Sequence, residues 1–177
     1  MTADRRRMTL AVAVVVGAMV AGLGLLMVAF IGMARHPADD REPLPASTTT
    51  TSTTALAAAM REWQSRAGDH FKETAKALEQ VSQGSEHDDA AAVRTGCQRL
   101  HDTNAIGLQA DLPTPDPVLT AELQRMVDDV NTAAHACLRF SDSRHQDDAT
   151  TYQTYLTRAV DHLTTAKQIL NEDLGEG

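Results

Sequence analysis

The sequence predicts an all-α protein, in which one N-terminal transmembrane helix precedes a four-helix bundle of up-down-up-down topology. Three observations predict this class. Residues 9–34 carry no charged side chain. Aromatic residues make up only 3% of the chain, and the second half is rich in helix formers and lacks the β-branched alternation of strands. Beyond residue 54, apolar residues recur at spacings of three and four, which is the periodicity of amphipathic helices.

The apolar segment at residues 9–34 is long enough to cross a membrane, since a helix rises about 1.5 Å per residue and the hydrocarbon core is about 30 Å thick. Three arginines at residues 5–7 precede it, whereas Arg35 and Arg41 on its other side are mixed with acidic residues. Positive charge beside a first membrane helix tends to stay in the cytoplasm. We therefore expect a cytoplasmic tail at residues 1–8, a single-pass signal anchor in the cell membrane and an extracytoplasmic C-terminal domain.

A cleaved signal peptide is the alternative for the same segment, because Gly32, Met33 and Ala34 resemble a cleavage site. The apolar run is much longer than the roughly 7 to 15 residues of a signal-peptide core, which favours retention of the helix. Both alternatives export the C-terminal domain.

Small residues form a regular pattern within the proposed anchor. Ala13, Gly17 and Ala21 recur at every fourth position, and Ala18 and Gly22 form a second pair beside them. Such a face lets two helix backbones approach closely and predicts self-association in the membrane. The alternative is that alanine and glycine are simply common in membrane helices.

Residues 35–54 predict a flexible linker between membrane and domain. Pro37, Pro43 and Pro45 prevent a continuous helix, and the serine and threonine run at residues 47–54 has nothing to bury. This composition is also found in glycosylated stalks, although an unmodified spacer is the interpretation we favour.

Residues 55–177 form the predicted bundle. The first helix, at about residues 55–83, is expected to end at a C-cap formed by Gly84, and Ser85 with Asp88 is expected to cap a second helix at about residues 86–110. The residues predicted to face inward are Leu56, Met60, Trp63, Ala67, Phe71, Leu78 and Val81 on the first helix and Ala90, Val93, Cys97, Leu100 and Leu108 on the second.

The third helix is predicted to start with Asp116 as N-cap and Pro117 as first helical residue. Residues 141–148 are expected to form a loop, and the fourth helix covers about residues 149–174. The inward positions are Leu119, Leu123, Met126, Val130, Ala133, Cys137 and Phe140 on the third helix and Tyr152, Leu156, Ala159, Leu163, Ala166 and Leu170 on the fourth. A core of mainly Ala, Leu and Val side chains is expected to leave little volume for a ligand.

Two cysteines, Cys97 and Cys137, lie on the inner stripes of the second and third helices. Antiparallel packing of these helices brings both to a similar level and predicts a disulfide. Closing a loop of about 40 residues stabilises the fold by about 4 kcal/mol in the chain-entropy model. A disulfide agrees with export, because disulfides persist outside the cytosol. The alternative is two buried free thiols.

The anchor and the threonine-rich linker occur together with Trp63, Cys97, Leu100, residues 112–117 (Leu-Pro-Thr-Pro-Asp-Pro) and Cys137. This combination resembles small actinobacterial, mycobacterial-type single-pass envelope proteins with a two-cysteine extracytoplasmic helical domain. The resemblance covers about residues 60–140. It implies an exported helical domain and transfers no active-site residue.

Histidines occur on each predicted helix, as His70, His101, His135 and His162. Carboxylate-bridged metal sites in four-helix bundles use Glu-x-x-His pairs, and the sequence contains none. His101 can face inward, but His135 stands two residues from Cys137 and is predicted to point to nearly the opposite side of its helix. We therefore expect no metal and no cofactor.

The remaining charge pattern also favours a non-catalytic protein. The net charge of −8 makes nucleic acid an unlikely partner. Acidic doublets at residues 88–89, 128–129 and 147–148 lack the ligand spacing of a calcium loop and are expected at helix N-termini and on solvated faces. The sequence contains no phosphate loop, nucleophile elbow or zinc-protease motif, so we expect no enzyme.

The sequence thus favours a membrane-tethered extracytoplasmic module that binds another envelope protein or forms a homodimer. The alternative is a small-ligand or metal-binding helical bundle, with His101 and His70 as participants. An exposed apolar patch favours the first function, and a deep polar-lined pocket favours the second.

Overall fold

A computed structural model describes residues 48–175, with side chains from residue 53 onward. In this part of the chain the fold is all-helical, and the prediction of four helices is confirmed. The helices are α1 (Thr48–Glu86), α2 (Ala90–Asp102), α3 (Pro117–Ser143) and α4 (Gln146–Leu174). A π-helical segment, Thr103–Leu108, continues α2.

The proposed anchor at residues 9–34 and its small-residue face lie outside the described residues. Among residues 48–175, no helix combines the length and apolar character that crossing a bilayer requires.

Each helix packs antiparallel against the next one, and α1 also contacts α4. The antiparallel direction is established by two kinds of contact. Residues late in one helix contact residues early in the next, and residues early in the first contact residues late in the second. Between α1 and α2 with its π-helical continuation these contacts are Val81 with Gly96 and His70 with Gly107. Between α2 with this continuation and α3 they are Arg94 with Asp142 and, just beyond the π-helical segment, Gln109 with Gln124. Between α3 and α4 they are Arg139 with Asp148 and Glu122 with His162.

The core is formed by the apolar stripes that the sequence predicts. Trp63, Phe71 and Met60 on α1 are the largest fully buried side chains in the described part of the chain. All predicted inward residues of α4 are buried, as are those of α3 except Phe140, which is half-buried. Ala90 is exposed, so its predicted inward position is wrong: Ala92 and Val93, rather than Ala90, lie against Gly84 of α1 at the start of α2.

The ends of α1 differ from the prediction. The helix begins at Thr48 rather than near residue 55, so threonines assigned to the linker are helical. Gly84 does not end the helix, because α1 continues to Glu86 and Gly84 instead lets the two helices approach: a Cβ there would lie 2.8 Å from the backbone N of Val93. The chain reverses at Asp88, which has a φ of 54°.

Asp89, rather than Ser85 with Asp88, caps α2. Its carboxylate accepts hydrogen bonds from the backbone N–H groups of Ala91 and Ala92, both at 3.0 Å. The acidic residue directly before the helix therefore satisfies two N–H groups that have no partner within the helix.

The start of α3 confirms the prediction from the sequence. Pro117 is the first helical residue, and Oδ1 of Asp116 accepts a hydrogen bond from the N–H of Leu119 at 2.6 Å. The loop predicted at residues 141–148 is shorter, since α3 extends to Ser143 and α4 begins at Gln146. Arg144, with a φ of 57°, reverses the chain.

Candidate functional site

A disulfide joins α2 to α3, as predicted. Cys97 and Cys137 are both buried, and their Cα atoms are 5.8 Å apart. The bond lies within the seam between the two helices and fixes their relative level. It leaves no free cysteine in the described chain.

The four helical histidines occupy three separate positions. His101 and His135 contact each other across the α2–α3 seam, with ring centroids 4.8 Å apart and ring planes inclined by 61°. The prediction that His135 points away from this seam is wrong. The ring of half-buried His101 reaches the outer edge of the seam, where it meets the exposed His135. A helical-wheel argument considers only the direction of each Cβ and misses such a contact.

His70 belongs to a second group, where α1 meets the end of the π-helical segment. Its Nδ1 lies 2.7 Å from Oδ2 of Asp111, and the backbone oxygen of Asp111 accepts a hydrogen bond from Nε1 of Trp63 at 2.8 Å. Gly107 lies against the His70 ring, because a Cβ at Gly107 would be 2.7 Å from Cδ2 of His70. These contacts fasten α1 to the connection that precedes α3.

The π-helical segment places a polar side chain inside the fold. Asn104 is fully buried and donates hydrogen bonds to the backbone oxygen of Leu100 at 2.8 Å and to Oγ1 of Thr74 at 3.3 Å. Its Oδ1 has no hydrogen-bond partner in the described part of the chain. Two residues later, Ile106 is 67% exposed. The periodicity of the sequence does not predict the π-helical segment. The sequence signal that could indicate it is a polar residue, Asn104, four positions after the inward-facing Leu100.

His162 belongs to a charged group between α3 and α4. Its Nδ1 lies 2.8 Å from Oε2 of Glu122, and its Nε2 lies 3.7 Å from Oδ2 of Asp129. Arg158 approaches Asp129 from α4, and Arg125 pairs with Glu122 on α3. We name these five residues the α3–α4 charge cluster. Arg158 with Asp129 and His162 with Glu122 are contacts between α3 and α4, whereas Arg125 pairs with Glu122 within α3.

The acidic doublets have different environments. Asp129 is only 5% exposed, so the prediction of a solvated face is wrong for it, because this side of α3 faces α4. Asp147 and Asp148 lie in the first turn of α4, as expected for negative charge near a helix N-terminus.

A cavity lies in the core among α1, the π-helical segment, the connection that follows it and α3. Its volume is about 10 Å³, which is room for about one water molecule. Its lining is Trp63, Phe71, Leu108, Leu112, Leu123, Met126 and Val127. A cavity of this size and apolar lining has no room for a metabolite.

Between residues 48 and 175, no group of three or more His, Cys, Asp or Glu side chains is positioned to hold a metal ion. Comparison of the chain with family models, with curated proteins and with solved structures finds no match. The resemblance to actinobacterial envelope proteins therefore stays a prediction.

Proposed function

We propose that this chain is a membrane-tethered helical module, whose four-helix bundle lies outside the cytoplasm and acts by binding another envelope protein or a second copy of itself. The disulfide between Cys97 and Cys137 is the observation that carries the proposal. Disulfides are stable in exported domains and are reduced in the cytosol. The bond agrees with the export direction that the arginines at residues 5–7 predict for the apolar segment.

A binding role is favoured over small-molecule chemistry by the interior of the bundle. The core cavity holds about 10 Å³, far below the roughly 300 Å³ or more of a typical ligand pocket. The buried carboxylate of Asp129 on α3 pairs with the partly exposed Arg158 on α4. An interaction at the surface therefore fits this domain better than a reaction in its interior.

Two large apolar side chains are exposed on the described surface, Ile106 at 67% and Val118 at 59%. They flank the connection between α2 and α3 in the sequence. A partner that covers them would remove apolar area from water, which is favourable by about 25 cal/mol per Å². This end of the domain is the contact position that we propose.

Membrane topology is tested by labelling intact cells with a membrane-impermeant maleimide. We expect a cysteine introduced as Gln146→Cys, at the exposed start of α4, to be labelled, whereas Ala3→Cys in the N-terminal tail reacts only after lysis. Labelling of Ala3→Cys alone in intact cells would overturn the extracytoplasmic assignment.

The binding role is tested by photocrosslinking in cells. A crosslinking amino acid at Ile106 is expected to form a discrete adduct, either with an envelope protein or with a second copy of this chain. The same amino acid at Thr164, exposed on α4, is the matched control and should form none. Identical patterns at both positions would contradict a specific contact near Ile106.

A further inference from the structure

Two imidazole rings on different helices lie at the separation that a shared metal ion imposes. Histidine nitrogens bind late transition metals at about 2.1 Å, so two rings on one ion with a bond angle of about 90 to 110° have centroids roughly 4.5 to 5.2 Å apart. The centroids of His101 and His135 are 4.8 Å apart. This separation of the two rings is compatible with a single ion between them.

A neighbouring carboxylate orients the first of these rings. Oδ1 of Asp102 lies 3.1 Å from Nδ1 of His101. With the proton on Nδ1 donated to this carboxylate, Nε2 of neutral His101 keeps its lone pair free for a metal. Carboxylates hold metal-ligating histidines in this way and increase their basicity.

The backbone that carries the two rings is rigid. The Cys97–Cys137 disulfide joins α2 to α3 next to the pair, since His101 follows Cys97 by about one helical turn and His135 precedes Cys137 by two residues. The side chain of His101 is 30% exposed and His135 is exposed, so an ion can enter from solvent. Pre-organised ligands on rigid elements lose little freedom when they bind.

We propose that His101 and His135 bind a divalent late transition-metal ion, with Asp102 as the positioning residue and water in the remaining coordination positions. Imidazole ligands suit Cu²⁺, Zn²⁺ and Ni²⁺, and the usual affinity order places Cu²⁺ first, whereas Mg²⁺ prefers oxygen ligands. The net charge of −8 attracts cations to the surface. This site is independent of the proposed binding of a protein partner.

The test uses the full chain, purified in detergent without a polyhistidine tag and titrated with CuCl₂ and ZnCl₂ by calorimetry. We expect one saturable site for each ion, tighter for Cu²⁺ than for Zn²⁺, and no heat with MgCl₂. His101→Gln and His135→Gln are each expected to weaken binding at least about tenfold, because each removes one of two protein ligands. His87→Gln, which changes an exposed histidine in the turn between α1 and α2, is the matched control and should bind like the original chain.

Two further measurements separate a metal site from a structural histidine contact. Asp102→Asn should weaken Cu²⁺ binding about tenfold while the far-UV circular dichroism stays unchanged. The paramagnetic resonance spectrum of the Cu²⁺ form should show hyperfine coupling to two imidazole nitrogens. Unchanged affinity in folded His101→Gln or His135→Gln, or coupling to a single nitrogen, would overturn the proposal.

Discussion

The guanidinium of Arg158 lies 3.3 Å from the carboxylate of Asp129, which is buried where α3 packs against α4. The two partners differ in exposure, because the Arg158 side chain is 54% exposed and that of Asp129 only 7%. The other carboxylate oxygen of Asp129, Oδ2, accepts no hydrogen bond from the described residues and lies 3.7 Å from Nε2 of His162. A buried negative charge therefore depends on a cation at the surface.

Removing that cation should destabilise the domain. We expect Arg158→Gln to lower the free energy of unfolding by about 1 to 3 kcal/mol, since it leaves a buried carboxylate without its main partner. The control is Arg94→Gln, whose partner Asp142 is also more than half exposed, and which should change the free energy by less than about 1 kcal/mol. Urea denaturation measures both, and equal effects would show that Asp129 is adequately solvated.

The disulfide should contribute more than any single ion pair. Replacing both Cys97 and Cys137 by alanine is expected to lower the free energy of unfolding by about 4 kcal/mol, because the unfolded chain loses the constraint on a loop of about 40 residues. The midpoint of urea denaturation of the variant, compared with the oxidised original chain, measures this effect. A loss below about 1 kcal/mol would indicate that packing between α2 and α3 alone holds this seam.

Because α1 and α2 approach closely, substitution of Gly96 should destabilise the domain. In Gly96→Ala the new Cβ would lie 2.7 Å from Cγ2 of Val81 and 3.0 Å from its backbone N, so we expect a loss of about 1 to 3 kcal/mol from overpacking. Gly68→Ala is the matched control, since a Cβ there meets nothing within 4 Å. Alanine favours the helix, so the control should gain up to about 1 kcal/mol in thermal or urea unfolding. A neutral Gly96→Ala would contradict the tight seam.

A carboxyl group near the end of α4 should make stability depend on pH. Burial raises the pKa of Asp173 above its ordinary value of 3.8, and the negative charges of Asp116 and Glu172 raise it further. The folded state therefore holds this proton more tightly than the unfolded state, and stability from this group falls as pH rises from about 3.8 through the folded pKa. At higher pH the charged carboxylate is a small penalty.

Asp173→Asn removes that penalty. At pH 7 we expect the variant to have a slightly higher melting temperature than the original chain. The gain in free energy of unfolding should be less than about 0.5 kcal/mol, because solvent screens the charges, and it should vanish below pH 3.8. Melting temperatures at pH 7 and pH 3 test the sign. A benefit of the substitution that is present at pH 3 and absent at pH 7 would contradict the direction of the shift.

Predictions from the sequence succeeded where short-range rules decide the outcome. The stripe from Met60 to Val81 follows from helical periodicity, and the start of α3 follows from the hydrogen bond that Asp116 offers to an N–H group in the first turn. They failed at Gly84, since the same residue type ends a helix in one context and lets a second helix approach in another. Only the position of α2 distinguishes the two cases.

The sequence by itself determined the all-α class, the four helices and the pairing of Cys97 with Cys137, because each depends on the spacing of apolar residues along a helix and on an antiparallel turn. Tertiary structure decided that Asp129 is buried and that His101 meets His135. The environment of a polar side chain depends on which helix stands opposite and how closely the two backbones approach. Neither quantity is encoded in the periodicity of one helix.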